Sequence, residues 1–274
     1  MPNCDYNCEG CNSSEGCNEK TSLLKPQNVY SNISHVIAIT SGKGGVGKSM
    51  VTSLLASSLA KAGYKVGILD ADITGPSIPK AFGINAKPDV LDDALIPVLT
   101  KNNIKIMSVN LLLDNETDPV IWRGPVISGI VEQFWTDVIW GDLDYLLIDM
   151  PPGTGDVALT IYQALPVERI IVVTSPQELV EMIVEKSIKM ADTLNIKVLS
   201  IVENMAYFVC DNCHKKHYIF GNGNLDELAQ KYDIKNIEYV PLDVDIAKYA
   251  DSGKIEEYRG FDFKKTVEEL SKLS

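Results

Sequence analysis

Nowhere in its 274 positions does the sequence hold a run of about 18 apolar residues, the minimum for a helix that spans a bilayer. It is also short of basic charge: 25 Lys and Arg face 37 Asp and Glu, giving a formal net charge of −12. A nucleic-acid surface needs clustered cations to neutralise phosphates, and an anionic membrane surface needs them too, so the charge balance argues against both partners. No internal repeat or low-complexity tract is present. The opening Met1-Pro2-Asn3-Cys4 has no basic region and no apolar region of a secretory signal, so the expected location is cytoplasmic.

What is present is a chain of soluble, globular texture, 45% hydrophobic with a mean hydropathy of +0.02, long enough to bury a substantial core. Residues 1–34 are polar and lack helix or strand periodicity, which predicts a disordered Cys-rich arm. From residue 35 short aliphatic runs recur at Val36–Thr40, Lys65–Leu69, Ile104–Val109, Tyr145–Asp149, Arg169–Thr174, Lys197–Glu203 and Ile237–Val240. Longer amphipathic stretches lie between most of them, at Ser49–Ala62, Pro125–Ile139, Leu179–Leu194 and Leu225–Lys231, and Phe261–Leu273 reads as a closing helix. This alternation predicts an α/β fold with a doubly wound, mostly parallel sheet over residues 35–274.

Residues 40–49 read Thr-Ser-Gly-Lys-Gly-Gly-Val-Gly-Lys-Ser. Gly42, Gly47, Lys48 and Ser49 fit the P-loop pattern G-x4-G-K-[ST], between an apolar strand and an amphipathic helix as that motif requires. Its glycines let backbone N–H groups curl around phosphate oxygens, and the helix N-terminus adds a positive dipole. Lys48 is expected beside the β/γ-phosphates of ATP, with Ser49 on Mg2+. Two further apolar runs end in carboxylates: Asp70-Ala71-Asp72, and Asp149 followed by Met-Pro-Pro-Gly-Thr-Gly-Asp (150–156). Asp149 stands where a carboxylate can hold Mg2+, directly or through water.

Lys43 makes the motif more specific. The run Lys-Gly-Gly-Val-Gly-Lys-Ser (43–49) resembles the deviant Walker A of the family containing MinD, ParA, the nitrogenase iron protein and the Mrp/ApbC proteins. The resemblance implies that Lys43 reaches a partner subunit's nucleotide in trans, as an arginine finger does. It implies that Asp72, in switch I, orients the attacking water or the metal, and that Pro151–Asp156 form switch II. The implied catalytic set is Lys43, Lys48 and Asp72. The implied nucleotide set is Gly42, Lys43, Gly44, Gly45, Val46, Gly47, Lys48, Ser49, Met50, Asn204 and Pro241, with Asn204 on the adenine.

The six cysteines form two groups, Cys4, Cys8, Cys11 and Cys17, then Cys210 and Cys213. In a reducing compartment such clusters read as metal ligands or redox centres. Cys210-Asp-Asn-Cys213 lies in an aromatic, basic insertion, Tyr207–Gly221, with His214 and His217 beside it. Taken locally, the pair is compatible with half an iron–sulfur site, a dithiol or a zinc site, and the two histidines favour zinc. The surroundings add to this. Trp122-Arg-Gly-Pro125, the 144–156 run, Glu203-Asn-Met205, Ile219-Phe-Gly221 and Pro241-Leu-Asp243 all resemble the Mrp/ApbC iron–sulfur carriers. That resemblance implies a homodimer in which Cys210 and Cys213 of both subunits hold one [4Fe-4S] cluster for delivery to apo iron–sulfur proteins. Cys8-x2-Cys11-x5-Cys17 resembles the last three cysteines of the ferredoxin-like motif in eukaryotic cytosolic members. Here Cys4 stands closer than that motif's first cysteine, and the arm is compatible with a [4Fe-4S] cluster or zinc. A positioning ATPase like MinD or ParA shares the phosphate residues and leaves the cysteines unexplained; a zinc-stabilised P-loop ATPase is the other alternative.

Overall fold

The computed structural model describes residues 23–72, 77–92, 94–112, 124–176, 180–221 and 225–273. The first half of the chain forms β1 (Asn32–Thr40), α1 (Lys48–Lys61), β2 (Val66–Asp70), α2 (Ser77–Phe82), β3 (Asp89–Leu91), β4 (Ala94–Ile96), β5 (Val98–Leu99), β6 (Lys105–Ser108) and α3 (Gly124–Thr136). The second half forms β7 (Asp142–Asp149), α4 (Asp156–Ala164), β8 (Arg169–Thr174), α5 (Val180–Thr193), β9 (Lys197–Glu203), β10 (Phe208–Val209), β11 (Lys216–His217), α6 (Leu225–Lys231), β12 (Ile237–Tyr239), α7 (Val244–Asp251) and α8 (Lys264–Ser271). Eight strands make the central sheet in the order β12-β9-β8-β1-β7-β2-β6-β5, parallel except for β5 at one edge.

Burial on both faces explains the unbroken aliphatic runs. Along β1, Val36 and Ala38 join one core with α3, α4, α5 and α6, while Ile37 and Ile39 join the other with α1, α2, α7 and α8. Successive side chains of a strand point to opposite faces, so a strand covered on both must be apolar throughout. All seven predicted strands appear within a few residues, and so do the five predicted helices. The sequence reading omitted α2, α4 and α7. They are short, and α2 carries Pro79 while α4 emerges straight from a glycine-rich turn.

Residues 25–31 attach to the domain through polar groups. Lys25 N donates to Ala164 O, Trp135 Nε1 to Lys25 O at 3.0 Å, and Asn28 Nδ2 to Thr136 O at 3.0 Å. An attachment of this kind leaves no apolar period in the sequence. Trp135 and Trp140 are buried; Trp122 lies outside the described residues. Among the described residues no helix is long and apolar enough to cross a membrane.

Candidate functional site

The strand order places β1 between β7 and β8, so the P-loop leaves the sheet where the chain's path reverses. In open α/β sheets, ligands bind at the carboxyl ends of the strands at such a point. Clefts of ≈ 680 and ≈ 580 Å3 open at the opposite edge, by the amino ends of β8 and β9, and contain no P-loop residue.

The loop curls because Gly45 and Gly47 take the left-handed conformation, φ 80° and 81°. A β-carbon at Gly45 would meet nothing within 4 Å, and one at Gly44 only Pro152 Cγ at 4.0 Å, so the tip has room for a phosphate group. Gly42 is packed instead, since a β-carbon there would overlap Ile183 of α5. Gly153 N donates to Ser41 O at 2.8 Å, tying the predicted switch II to the P-loop.

Lys48 opens α1 and is 5% exposed, with Nζ 2.8 Å from Asp149 Oδ2 and 3.2 Å from Asp72 Oδ2. Burial alone would lower its pKa; the charges of Asp149, Asp72 and Asp70 outweigh that and hold it above the usual lysine value. Ser49 Oγ donates to Asp149 Oδ2 at 2.6 Å, and Thr52 Oγ1, one turn on, lies 2.7 Å from Asp149 Oδ1. A serine hydroxyl and a carboxylate are hard oxygen donors of the kind Mg2+ takes. The parallel register sets Asp70 directly beside Asp149. Asp70 is buried and bound by Ser108 Oγ at 2.7 Å, and burial together with the Asp149 charge pushes its pKa well up.

Asn204 follows β9 and is buried; its Nδ2 donates to Val46 O at 2.9 Å, pinning the P-loop. Met50 packs beside the α1 core, and the segment carrying Pro241 lies alongside, with Ala206 N donating to Val240 O and Leu242 N to Tyr207 O. Lys43 is half-buried and accepts, through its carbonyl, from Ser41 Oγ at 2.9 Å.

The cysteine insertion is a hairpin rather than a loop. β10 and β11 pair antiparallel, Phe208 with His217 and Val209 with Lys216, strands too short to leave a period in the sequence. Cys210 N donates to Lys215 O and His214 N to Cys210 O, closing the turn. The backbone N–H groups of Cys213 and Asn212, then the Cys213 thiol, lower the pKa of Cys210. Cys213 and His217 are exposed, and one ligand atom from each of Cys210, Cys213 and His217 lies within 4.8 Å of the others. Cys4, Cys8, Cys11 and Cys17 lie outside the described residues, as does Arg123.

Residues 32–273 match the ParA family described as NUBPL iron-transfer P-loop NTPase. The chain belongs to that family. Among iron-transfer P-loop NTPase relatives, the iron-sulfur cluster carrier protein of Clostridium perfringens is 46% identical over 259 residues, covering 92% of this chain and 90% of the relative. The carrier protein of Methanocaldococcus jannaschii is 46% identical over 260 residues, with the same coverage. The nucleotide-binding protein of Archaeoglobus fulgidus, solved in complex with ADP and with cobalt, is 50% identical with a TM-score of 0.75, covering 83% of this chain and 89% of that one. The cell-division ATPase MinD of Pyrococcus furiosus shares the fold at 20% identity, TM-score 0.62, over 88% of this chain and all of that one.

Within this iron-transfer NTPase, the sequence pattern marks Asp70 only as a strand-end carboxylate with no role of its own, and does not single out Thr52 or Ser108. Thr52 sits one helical turn beyond Lys48 on the buried face of α1, which was the available signal. Asp70 and Ser108 meet only through strand adjacency. Gly47→Ala is expected to abolish nucleotide binding: φ 81° strains any β-carbon, and that carbon would overlap Asn204 Nδ2. Titration with a fluorescent ADP analogue checks it.

Glu203, at the end of β9, is buried, and its Oε1 has no hydrogen-bond partner among the described residues. Burial, then the charge of Asp226, pushes its pKa from 4.5 up to about 7. The native state therefore holds a proton that the unfolded chain releases near 4.5, and stability contributed below 4.5 is lost as pH rises to about 7. In Glu203→Gln this loss is expected to vanish, so urea midpoints at about pH 5 and 7.5 should differ less than in wild type.

Proposed function

We propose that the chain is an ATP-binding and ATP-hydrolysing carrier that accepts a [4Fe-4S] cluster at Cys210 and Cys213 and passes it to apo-proteins. The observation that carries this reading is the continuity of the two sites. Asn204 holds the P-loop at Val46, and the same segment runs on within a few residues to a half-buried thiol, Cys210, and an exposed one, Cys213, at a hairpin turn. The iron-transfer family and the carrier relatives support the cargo, and the Archaeoglobus relative's ADP supports the nucleotide.

In this reading Lys48 lies along the β/γ-phosphates, Ser49 and Asp149 hold Mg2+, Asp72 orients water, and Asn204 faces the adenine with Pro241 and Met50 nearby. Lys43 acts across a homodimer interface. Two thiolates from each of two subunits complete four cluster ligands. Tyr218, Ile219 and Phe220, 48–59% exposed beside the thiols, supply apolar surface for a second subunit or an acceptor. A reducing compartment such as the cytoplasm suits this chemistry, and Cys4, Cys8, Cys11 and Cys17 provide a second cluster or zinc site on the arm.

Iron, acid-labile sulfide and zinc, with a visible spectrum, are measured on protein prepared without oxygen. Brown protein with equal iron and sulfide is expected. Protein that stays colourless, keeps stoichiometric zinc and takes up no sulfide even after oxygen-free reconstitution with iron and sulfide would replace this reading with the zinc-stabilised ATPase.

A further inference from the structure

We propose that Cys210, Cys213 and His217 of a single chain bind one tetrahedral divalent cation of the zinc, ferrous or cobaltous class, leaving a fourth position open. This goes beyond the carrier reading, because it needs neither a second subunit nor sulfide.

Antiparallel pairing of β10 and β11 brings His217 back across from Phe208, two residues before Cys210. The turn then carries Cys213 round to the same side, so that all three donor atoms stand within 4.8 Å of one another. Ligands of one tetrahedral ion, with sulfur at ~2.3 Å and nitrogen at ~2.0 Å from it, lie ~3.5–3.8 Å apart, so small side-chain adjustments close the site. A four-iron cluster makes a different demand. Each of its thiolates binds a different iron, and the sulfurs must stand further apart than two ligands of one ion. The hairpin thus has the spacing for a single ion.

The structure also chooses between two histidines that the sequence leaves equivalent. His214 lies within the turn at φ 56° and belongs to no three-donor group among the described residues, whereas His217 does. Two thiolates and one imidazole with an open fourth position form a known zinc donor set. Because the thiolates are shared, ion and bridging cluster exclude each other. Ion loading leaves the chain a metal-bearing monomer; cluster loading requires a pair of chains.

The test uses the full chain with Cys4, Cys8, Cys11 and Cys17 replaced by serine, titrated with Co2+ under reducing, oxygen-free conditions. Light scattering reports the oligomeric state. Expected are one cobalt per monomer, tetrahedral visible bands and sulfur-to-cobalt charge transfer. His217→Ala should weaken binding about tenfold or more and shift those bands, while His214→Ala changes neither. His217→Cys should bind and strengthen the charge-transfer absorption. The proposal is overturned if His217→Ala titrates like its parent, or if one cobalt binds per two chains with a four-thiolate spectrum. Failure to carry sulfide leaves these results unaffected, so the two readings fail separately.

Discussion

Lys48→Ala is expected to reduce ATP hydrolysis by about 10²–10³-fold, the usual loss when one group that stabilises transferring charge is removed. In the structure Lys48 is the cation among three carboxylates, with Nζ 2.8 Å from Asp149 and 3.2 Å from Asp72, and with Asp70 close enough to influence its charge. Asp149 is fully buried. Taking the cation away leaves that carboxylate uncompensated, and breaking a buried pair in this way costs about 3–5 kcal/mol. A lower melting temperature should therefore accompany the lost activity. Ser49→Ala separates the two effects: it removes the hydroxyl 2.6 Å from Asp149 but leaves every charge in place. Its activity should fall while its stability holds near wild type. Asp72→Asn should spare nucleotide binding more than turnover, because its carboxylate sits beside Lys48 at the rim rather than in the buried pair. Equal hydrolysis by wild type and Lys48→Ala would sink the assignment of this loop to ATP.

The second large effect concerns the thiols. The proposed bridging site predicts that Cys210→Ala with Cys213→Ala loses about four irons and four sulfides per pair of chains, and keeps whatever metal Cys4, Cys8, Cys11 and Cys17 bind. The dimer should weaken as well. A ligand held at 100 times its Kd contributes ~2.7 kcal/mol to the state that binds it, equivalent to about a hundredfold in association. Sedimentation of loaded protein measures this, together with iron and sulfide content. Both hairpin thiols lie at the surface or near it, so a fold-wide loss of stability is not expected. Unchanged iron, sulfide and dimer affinity in the double variant would falsify the bridging site.

How much of this was legible beforehand follows the range of each interaction. The sheet was legible because burial on both faces forces whole strands to be apolar, and the P-loop because its glycines, lysine and serine are contiguous. Contacts that depend on strands far apart in sequence were not. Asp70 meets Asp149 only because β2 and β7 are neighbours, and Ser108 reaches Asp70 only because β6 lies on the other side of β2. Asn204 was expected on the adenine; that its amide also clamps Val46 requires the end of β9 to approach the P-loop. The choice of His217 over His214 rests on the hairpin pairing and on one left-handed residue in the turn at 210–215, which composition cannot express. Residues 25–31 are attached through carbonyls and amides that carry no hydropathy signal.

The most direct measurement is transfer of a reconstituted cluster from this protein to an apo-ferredoxin, followed by the acceptor's visible spectrum without nucleotide, with ADP and with ATP. Asn204 joins the two sites through the P-loop, so nucleotide should change the transfer rate by ~5–150-fold, the range of ordinary coupling energies. Lys43→Ala should lose that dependence, and the double cysteine variant should transfer nothing from the hairpin. Transfer at one rate in all three nucleotide states, undiminished in the double cysteine variant, would contradict a nucleotide-coupled carrier whose cargo sits on Cys210 and Cys213.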